Sequence, residues 1–186
     1  MDEAELTEAV AAAQAGDEDG FRLLWRAHQP RLLRYLSIRD SSEAEDLAAE
    51  TWLRVARELH RFRGDAADFR SWLFTIARNL AHDVHRARRR RPQTGLPNSA
   101  FVNVADPGET DALAFDRLSL QRCLDLLRQL PPDQADAVAL RILAGLDVAR
   151  VAQLLGKREG AVRVATHRGL RTLADRLGVA PRPVRV

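Results

Sequence analysis

Apolar positions recur at helical spacing along most of the chain. Near the start Leu6, Val10 and Ala13 stand one turn apart among acidic residues, the pattern of a short amphipathic helix. Phe21, Leu24 and Trp25 begin a second stripe, which Leu32, Leu33, Tyr35 and Leu36 continue past Pro30. Ser41 and Ser42 are suited to cap a third helix beginning near Glu43, with acids in its first turn where the helix dipole favours them. On that helix Ala44, Leu47, Ala48, Thr51, Trp52, Val55 and Leu59 share one face, and Asp46, Glu50, Arg54 and Arg57 share the other. Gly64-Asp65 marks a turn. Beyond it Phe69, Trp72, Leu73, Ile76, Ala77 and Leu80 trace the inner side of a helix that ends in a run of arginines at Arg91. No stretch of period-two alternation competes, so the pattern predicts an all-α fold.

Between residues 92 and 111 the texture changes. Pro92, Gly95, Pro97, Asn98, Ser99, Asn103, Pro107 and Gly108 interrupt any regular element. A flexible linker of about twenty residues is expected there. Helical periodicity returns over 112–178, with helices near 113–129, 133–144, 147–155 and 158–177, and Pro132 at a first helical position. The expected organisation is two small helical domains, 1–91 and 112–178, with a short tail at 179–186.

Composition narrows the function classes. The 186 residues are 46% hydrophobic and 30% charged, too apolar for wholesale disorder. No apolar run approaches the roughly 18–20 residues of a bilayer span, so no membrane insertion is expected. Met1 to Gly20 carries seven acidic residues and no basic one, unlike an export signal, which points to a cytoplasmic protein. One cysteine, Cys123, gives neither an internal disulfide nor a cysteine zinc site, and no cofactor is expected. Net charge is only +3, but of 29 basic residues all except Lys157 are arginine, concentrated around 86–91 and 157–176. The guanidinium fork suits phosphates and base edges, so nucleic acid is the first candidate partner.

The sharpest local signal runs from Leu146 to Arg163. Ala152 is small where two helices must cross closely. Gly156, four residues on, can adopt the left-handed backbone that ends the first helix. Val162, six residues further, is an apolar lock for the second helix. This is helix-turn-helix spacing. It puts Arg163, Val164, Thr166, His167 and Arg168 on or beside the outer side of the second helix, with Lys157, Arg158, Arg171 and Arg176 adding charge. A purely structural hairpin with solvated arginines is the plain alternative.

The front block adds a second motif: Glu45-Asp46-Leu47-Ala48-Ala49-Glu50-Thr51-Trp52, then Phe62-Arg63-Gly64-Asp65, then Phe69-Arg70-Ser71-Trp72-Leu73-Phe74-Thr75-Ile76-Ala77-Arg78-Asn79. This resembles region 2 of extracytoplasmic-function (ECF, group 4) sigma factors of bacterial RNA polymerase, in the sigma-70 family. The rear block, from Leu130-Pro131-Pro132-Asp133-Gln134 to Gly160-Ala161-Val162-Arg163 and His167-Arg168, resembles region 4 of the same family. The two blocks stand in the family's order with a linker between, without the additional domains of primary sigma factors.

The resemblance implies a set of roles. The helix from Glu43 docks on the β′ coiled coil of core polymerase through Asp46, Leu47, Glu50 and Arg54, and the rear domain sits on the β flap. Residues 60–91 read and open the promoter −10 element, with Arg63, Asp65, Ser71, Arg78, Asn79, Asp83, Arg86 and Arg89 contacting DNA. The loop near Arg63 would hold a base flipped from the stack. Lys157, Arg158, Arg163, Val164, His167, Arg168 and Arg171 would contact the −35 element. Relatives commonly carry Gln at the position of Ala49 and Arg at that of Ala165, which removes a polymerase and a DNA contact here. An anti-sigma factor is a further implied partner.

Two other classes compete. His82-Asp83 with His85 suggests a metal phosphohydrolase, but that chemistry needs more converging ligands than the scattered His28, His60 and His167 offer. A stand-alone helix-turn-helix regulator predicts tight DNA binding without polymerase, usually as a dimer on a palindrome.

Overall fold

The computed structural model describes residues 2–39, 41–90 and 121–178, so the expected linker and tail lie outside the described residues. Every regular element among them is helical. The front domain holds α1 (Glu3–Gln14), α2 (Glu18–Arg39), α3 (Ala44–Glu58), a 3-10 turn (Leu59–Arg61) and α4 (Ala66–Arg90). The rear domain holds α5 (121–128), α6 (Pro132–Val138) continuing into a π-helical turn (Ala139–Leu143), α7 (Val148–Leu155) and α8 (Glu159–Leu177).

Local chemistry explains these limits. Asp2 and Glu5 form a reciprocal capping box that starts α1, and Leu6, Ala9 and Val10 are buried along it. α1 crosses α2 closely at Gly20, where an added Cβ would stand 2.9 Å from the Ala12 Cβ. α2 runs unbroken through Pro30 and buries Leu24, His28, Leu32, Tyr35, Leu36 and Ile38. Packing along that face outweighs the hydrogen bond the proline removes. Trp25, expected in this stripe, is instead 43% exposed. The N-cap of α3 is Glu43, one residue beyond the expected Ser41-Ser42; its carboxylate makes no cap and pairs with Arg88 of α4. The predicted inner face of α3 is buried at every position from Ala44 to Leu59. α4 completes the core with Phe69, Leu73, Phe74, Ile76 and Ala77, and Phe74 packs edge-on against Tyr35 at 5.4 Å.

In the rear domain Pro132 begins α6 as its position predicts. Asp147 caps α7 by accepting from the Arg150 N–H at 2.8 Å. Gly156 ends that helix at φ +64, and Val162, 1% exposed, locks α8 beneath it. α6 and α8 cross at Gly169, where a Cβ would meet the Val138 Cγ2 at 2.7 Å.

The two domains touch. Arg128 donates to the Ser37 carbonyl from Nε and Nη2 at 3.0 and 2.8 Å. Arg39 pairs with Asp136, and Arg150 reaches Asp68 at 2.9 Å.

Candidate nucleic-acid and protein interfaces

Three surfaces carry the residues singled out in the sequence. The first is the outer face of α3. Asp46 is exposed, Glu50 and Arg54 are half-buried, and all three lie on the side away from the bundle. Leu47 does not join them. It is 6% exposed and belongs to the core, because its position falls on the apolar stripe of its own helix. The apolar residue on the outer face is Leu53, 51% exposed, one turn beyond Ala49 and Glu50. An exposed leucine inside an otherwise charged face was the available signal.

The second surface is the loop between the 3-10 turn and α4, with the α4 side that continues from it. Beneath the loop Phe62 stacks on Trp72 at 5.2 Å, and Phe69 meets both rings at steeper angles. Phe69 is fully buried, so this cluster is packing. The Gln14 amide donates to the Leu59 and Phe62 carbonyls at 3.0 and 2.7 Å, tying α1 to the loop. The Arg63 guanidinium donates to the carbonyls of His60 and Phe62 at 3.1 and 2.6 Å, which folds its stem over the loop. Asp65 and Asp68 cap α4 reciprocally: each carboxylate accepts from the other's N–H, at 2.8 and 3.2 Å. Gly64 makes the bend at φ +144, with no room for a Cβ beside Asp68. Arg150 beside Asp68, with the Asp65 amide, holds the Asp68 carboxyl below its usual pKa.

Along α4, Ser71 is half-buried in the second turn, and Asn79, Asp83 and Arg86 are exposed on one side. Arg78 turns away from them, with its Nε 4.0 Å from an Asp136 oxygen. Arg88 pairs with Glu43, and the Arg89 side chain lies outside the described residues. His82 sits beside Arg39 and Arg78; partial burial and these two cations lower its pKa. No group of three His, Cys, Asp or Glu able to hold a metal occurs among the described residues.

The third surface is α8 with the turn before it. Arg158 is exposed at the N-cap, and Arg163, Val164, His167, Arg168 and Arg171 are exposed along the helix. Val164 is 49% exposed. Arg163 pairs with Glu159 at 2.7 Å, and Lys157 pairs with Asp133 of α6. Thr166 departs from the expected outer side, because its hydroxyl is buried. These side chains crown one helix whose opposite side is fixed by Val162 and Gly169, an arrangement that can enter a DNA groove.

Comparison with known proteins matches two separate stretches of the chain. Residues 24–91 match Sigma-70 region 2, and residues 120–173 match Sigma-70, region 4. The chain is 38% identical over 93% of its length to the ECF RNA polymerase sigma factor BldN of Streptomyces coelicolor, of which it spans 66%. It is 36% identical to the RNA polymerase sigma factor CarQ of Myxococcus xanthus, covering 88% of this chain and 92% of that one. Among solved structures, the sigma factor RpoE of Bartonella quintana, in complex with the anti-sigma factor NepR, superposes with a TM-score of 0.69 at 23% identity. That alignment covers 87% of this chain and 98% of RpoE. Two region matches in the family's order, on two helical domains with the helix-turn-helix in the second, lead to one conclusion: the chain belongs to the sigma-70 family, among its ECF-type RNA polymerase sigma factors.

Proposed function

We propose that the protein binds core RNA polymerase in the cytoplasm and directs it to promoters, without catalysing a bond change itself. The observation that carries this reading is one chain presenting three separate surfaces: an acidic face with a central leucine, a pre-shaped loop, and a basic recognition helix. Asp46, Glu50 and Arg54 flank Leu53 on α3 in the manner of a docking face, apolar at its centre and charged around it. A partner helix rich in arginine, such as the β′ coiled coil, complements its acids.

The loop from Phe62 to Asp68 is held by caps, backbone carbonyls and an aromatic floor before any ligand arrives. Such a loop can receive an extruded −10 base without first being ordered, so more of its contact energy offsets unstacking, which costs a few kcal/mol. Arg63, Asp65, Ser71, Asn79, Asp83 and Arg86 line the route along it, and the family resemblance assigns Arg89 to the same DNA. On α8, Arg163, His167 and Arg168 face base edges of the −35 element, while Lys157, Arg158 and Arg171 serve phosphates and Val164 meets a thymine methyl. The division into domains 1–91 and 112–178 lets each element be read by its own unit, with polymerase setting their separation. An anti-sigma factor is the partner expected to cover these surfaces when transcription is off.

Run-off transcription with purified bacterial core polymerase on a genomic promoter library tests the reading. Specific starts should appear with the wild type, vanish with Asp46→Arg/Glu50→Arg, and weaken with Arg168→Ala. New starts absent from every reaction, with discrete DNA sites bound by the free protein, would overturn it in favour of a conventional regulator.

A further inference from the structure

Asp136 of α6 lies between two guanidinium groups of the front domain. It pairs with Arg39 at the end of α2, and its other oxygen stands 4.0 Å from the Arg78 Nε on α4. The three side chains are between 18% and 24% exposed, so this cluster closes a crevice between the domains. One carboxylate serves two cations there, and it serves them incompletely. The Nε groups of both Arg39 and Arg78 are buried with no hydrogen-bond acceptor. His82 borders the same cations. The front-domain side of the crevice therefore carries excess positive charge and spare donors, and Arg78 lies on the same helix as Asn79, Asp83 and Arg86. In the first turn of α4, Arg150 holds Asp68 beside the −10 loop, and Arg128 holds the last turns of α2 by the Ser37 carbonyl.

We propose that Arg39 and Arg78 form a binding site for a DNA backbone phosphate, and that Asp136 occupies this site in the closed chain as an internal anion. A phosphodiester offers more acceptor oxygens than a carboxylate and would engage the two Nε donors that Asp136 leaves unmet. The closed chain then withholds a backbone contact from DNA until the domains separate, as they must to reach two promoter elements at once. The inference rests on the sigma-factor reading for its biological setting, but the contact itself is independent of sequence and of polymerase.

The test uses the full chain and a fluorescent forked DNA of mixed sequence, read by anisotropy at low salt without polymerase. If the closed form holds about nine molecules in ten, Asp136→Asn should bind this probe about tenfold more tightly than wild type. Small-angle scattering should show a larger radius of gyration for the same variant. Adding Arg39→Ala should abolish the gain and lower the dependence of log affinity on log salt by about one unit. Arg150→Ala, which releases the domains at a different contact, should also tighten DNA binding, and this guards against a fold defect peculiar to position 136. Unchanged affinity and radius in both opening variants would overturn the proposal, and so would a gain that survives Arg39→Ala. Run-off transcription by the wild type, measured separately, distinguishes either failure from a failure of the sigma-factor reading.

Discussion

Helix α8 contains a matched pair of glycines that turns the helix crossing into a measurable quantity. At Gly169 an added Cβ would lie 2.7 Å from the Val138 Cγ2 and 3.4 Å from the Gln134 Cβ and carbonyl oxygen. At Gly160 it would meet nothing within 4 Å. Replacing a helical glycine by alanine stabilises an unconstrained site by roughly 0.5–1 kcal/mol. Gly160→Ala should therefore gain about that much. Gly169→Ala should receive the same benefit but must displace Val138, which is 3% exposed. Overpacking of this kind costs about 1–3 kcal/mol, so the two variants should differ by about that amount. Trimming the obstacle tests the cause: Val138→Ala should be less harmful in the Gly169→Ala background than alone, a coupling of opposite-sized neighbours. The assay is urea unfolding of the full chain followed by two signals. All three tryptophans, Trp25, Trp52 and Trp72, lie in the front domain, so fluorescence reports that domain and far-ultraviolet circular dichroism reports both. The fluorescence midpoint should hold while the rear-domain part of the dichroism transition shifts. Equal midpoints for Gly160→Ala and Gly169→Ala would refute the close crossing.

Three further outcomes are expected. His28 is buried, with neither ring nitrogen hydrogen-bonded, and burial, with Arg70 and Arg31 nearby, lowers its pKa to about 4. The unfolded chain takes up that proton first as pH falls. Stability from this group is thus intact above about 6.5 and declines toward pH 4 by as much as ~3 kcal/mol, and His28→Leu should flatten that part of a denaturation-versus-pH curve. Leu53→Ala should weaken core polymerase binding roughly 5- to 30-fold in a fluorescence titration with no change in melting temperature. Leu47→Ala should instead cost about 2–4 kcal/mol of fold stability. Gly156→Ala should destabilise the rear domain by about 1–2 kcal/mol, because alanine must enter the left-handed region at φ +64; an unchanged melting temperature would contradict that backbone assignment.

The elements most legible in the sequence were those whose inner face is a continuous apolar stripe. α3 buried what periodicity assigned to it, α4 did so except at the half-buried Trp72 and Leu80, and Gly156 with Val162 gave the helix-turn-helix turn and its lock. Periodicity fails where an apolar residue serves a surface. It assigned Trp25 to the core, whereas at Leu47 periodicity was right and the resemblance, which put that residue on the outer face of α3, was not. The N-cap of α3 fell one residue later than the Ser41-Ser42 pattern suggested, at Glu43, whose carboxylate pairs with Arg88 of α4 instead of capping. The site formed by Arg39, Arg78 and Asp136 could not be read at all. Its members lie on three helices of two domains, and nothing in the spacing of one announces the others.

The π-helical turn at Ala139–Leu143 makes chain length negotiable at one point of the rear domain. There the Ala144 N–H reaches back five residues to the Ala139 carbonyl at 3.0 Å, so the turn carries one residue more than an α-helical turn would. Ile142, 54% exposed, lies on the outside of this widened turn, while Leu140 and Ala144 on either side stay buried. Deleting Ile142 would let the turn contract to ordinary α geometry with Ala144 still facing inward. A single-residue deletion, usually ruinous inside a helix because it rotates everything beyond it, has here a register into which the chain can relax.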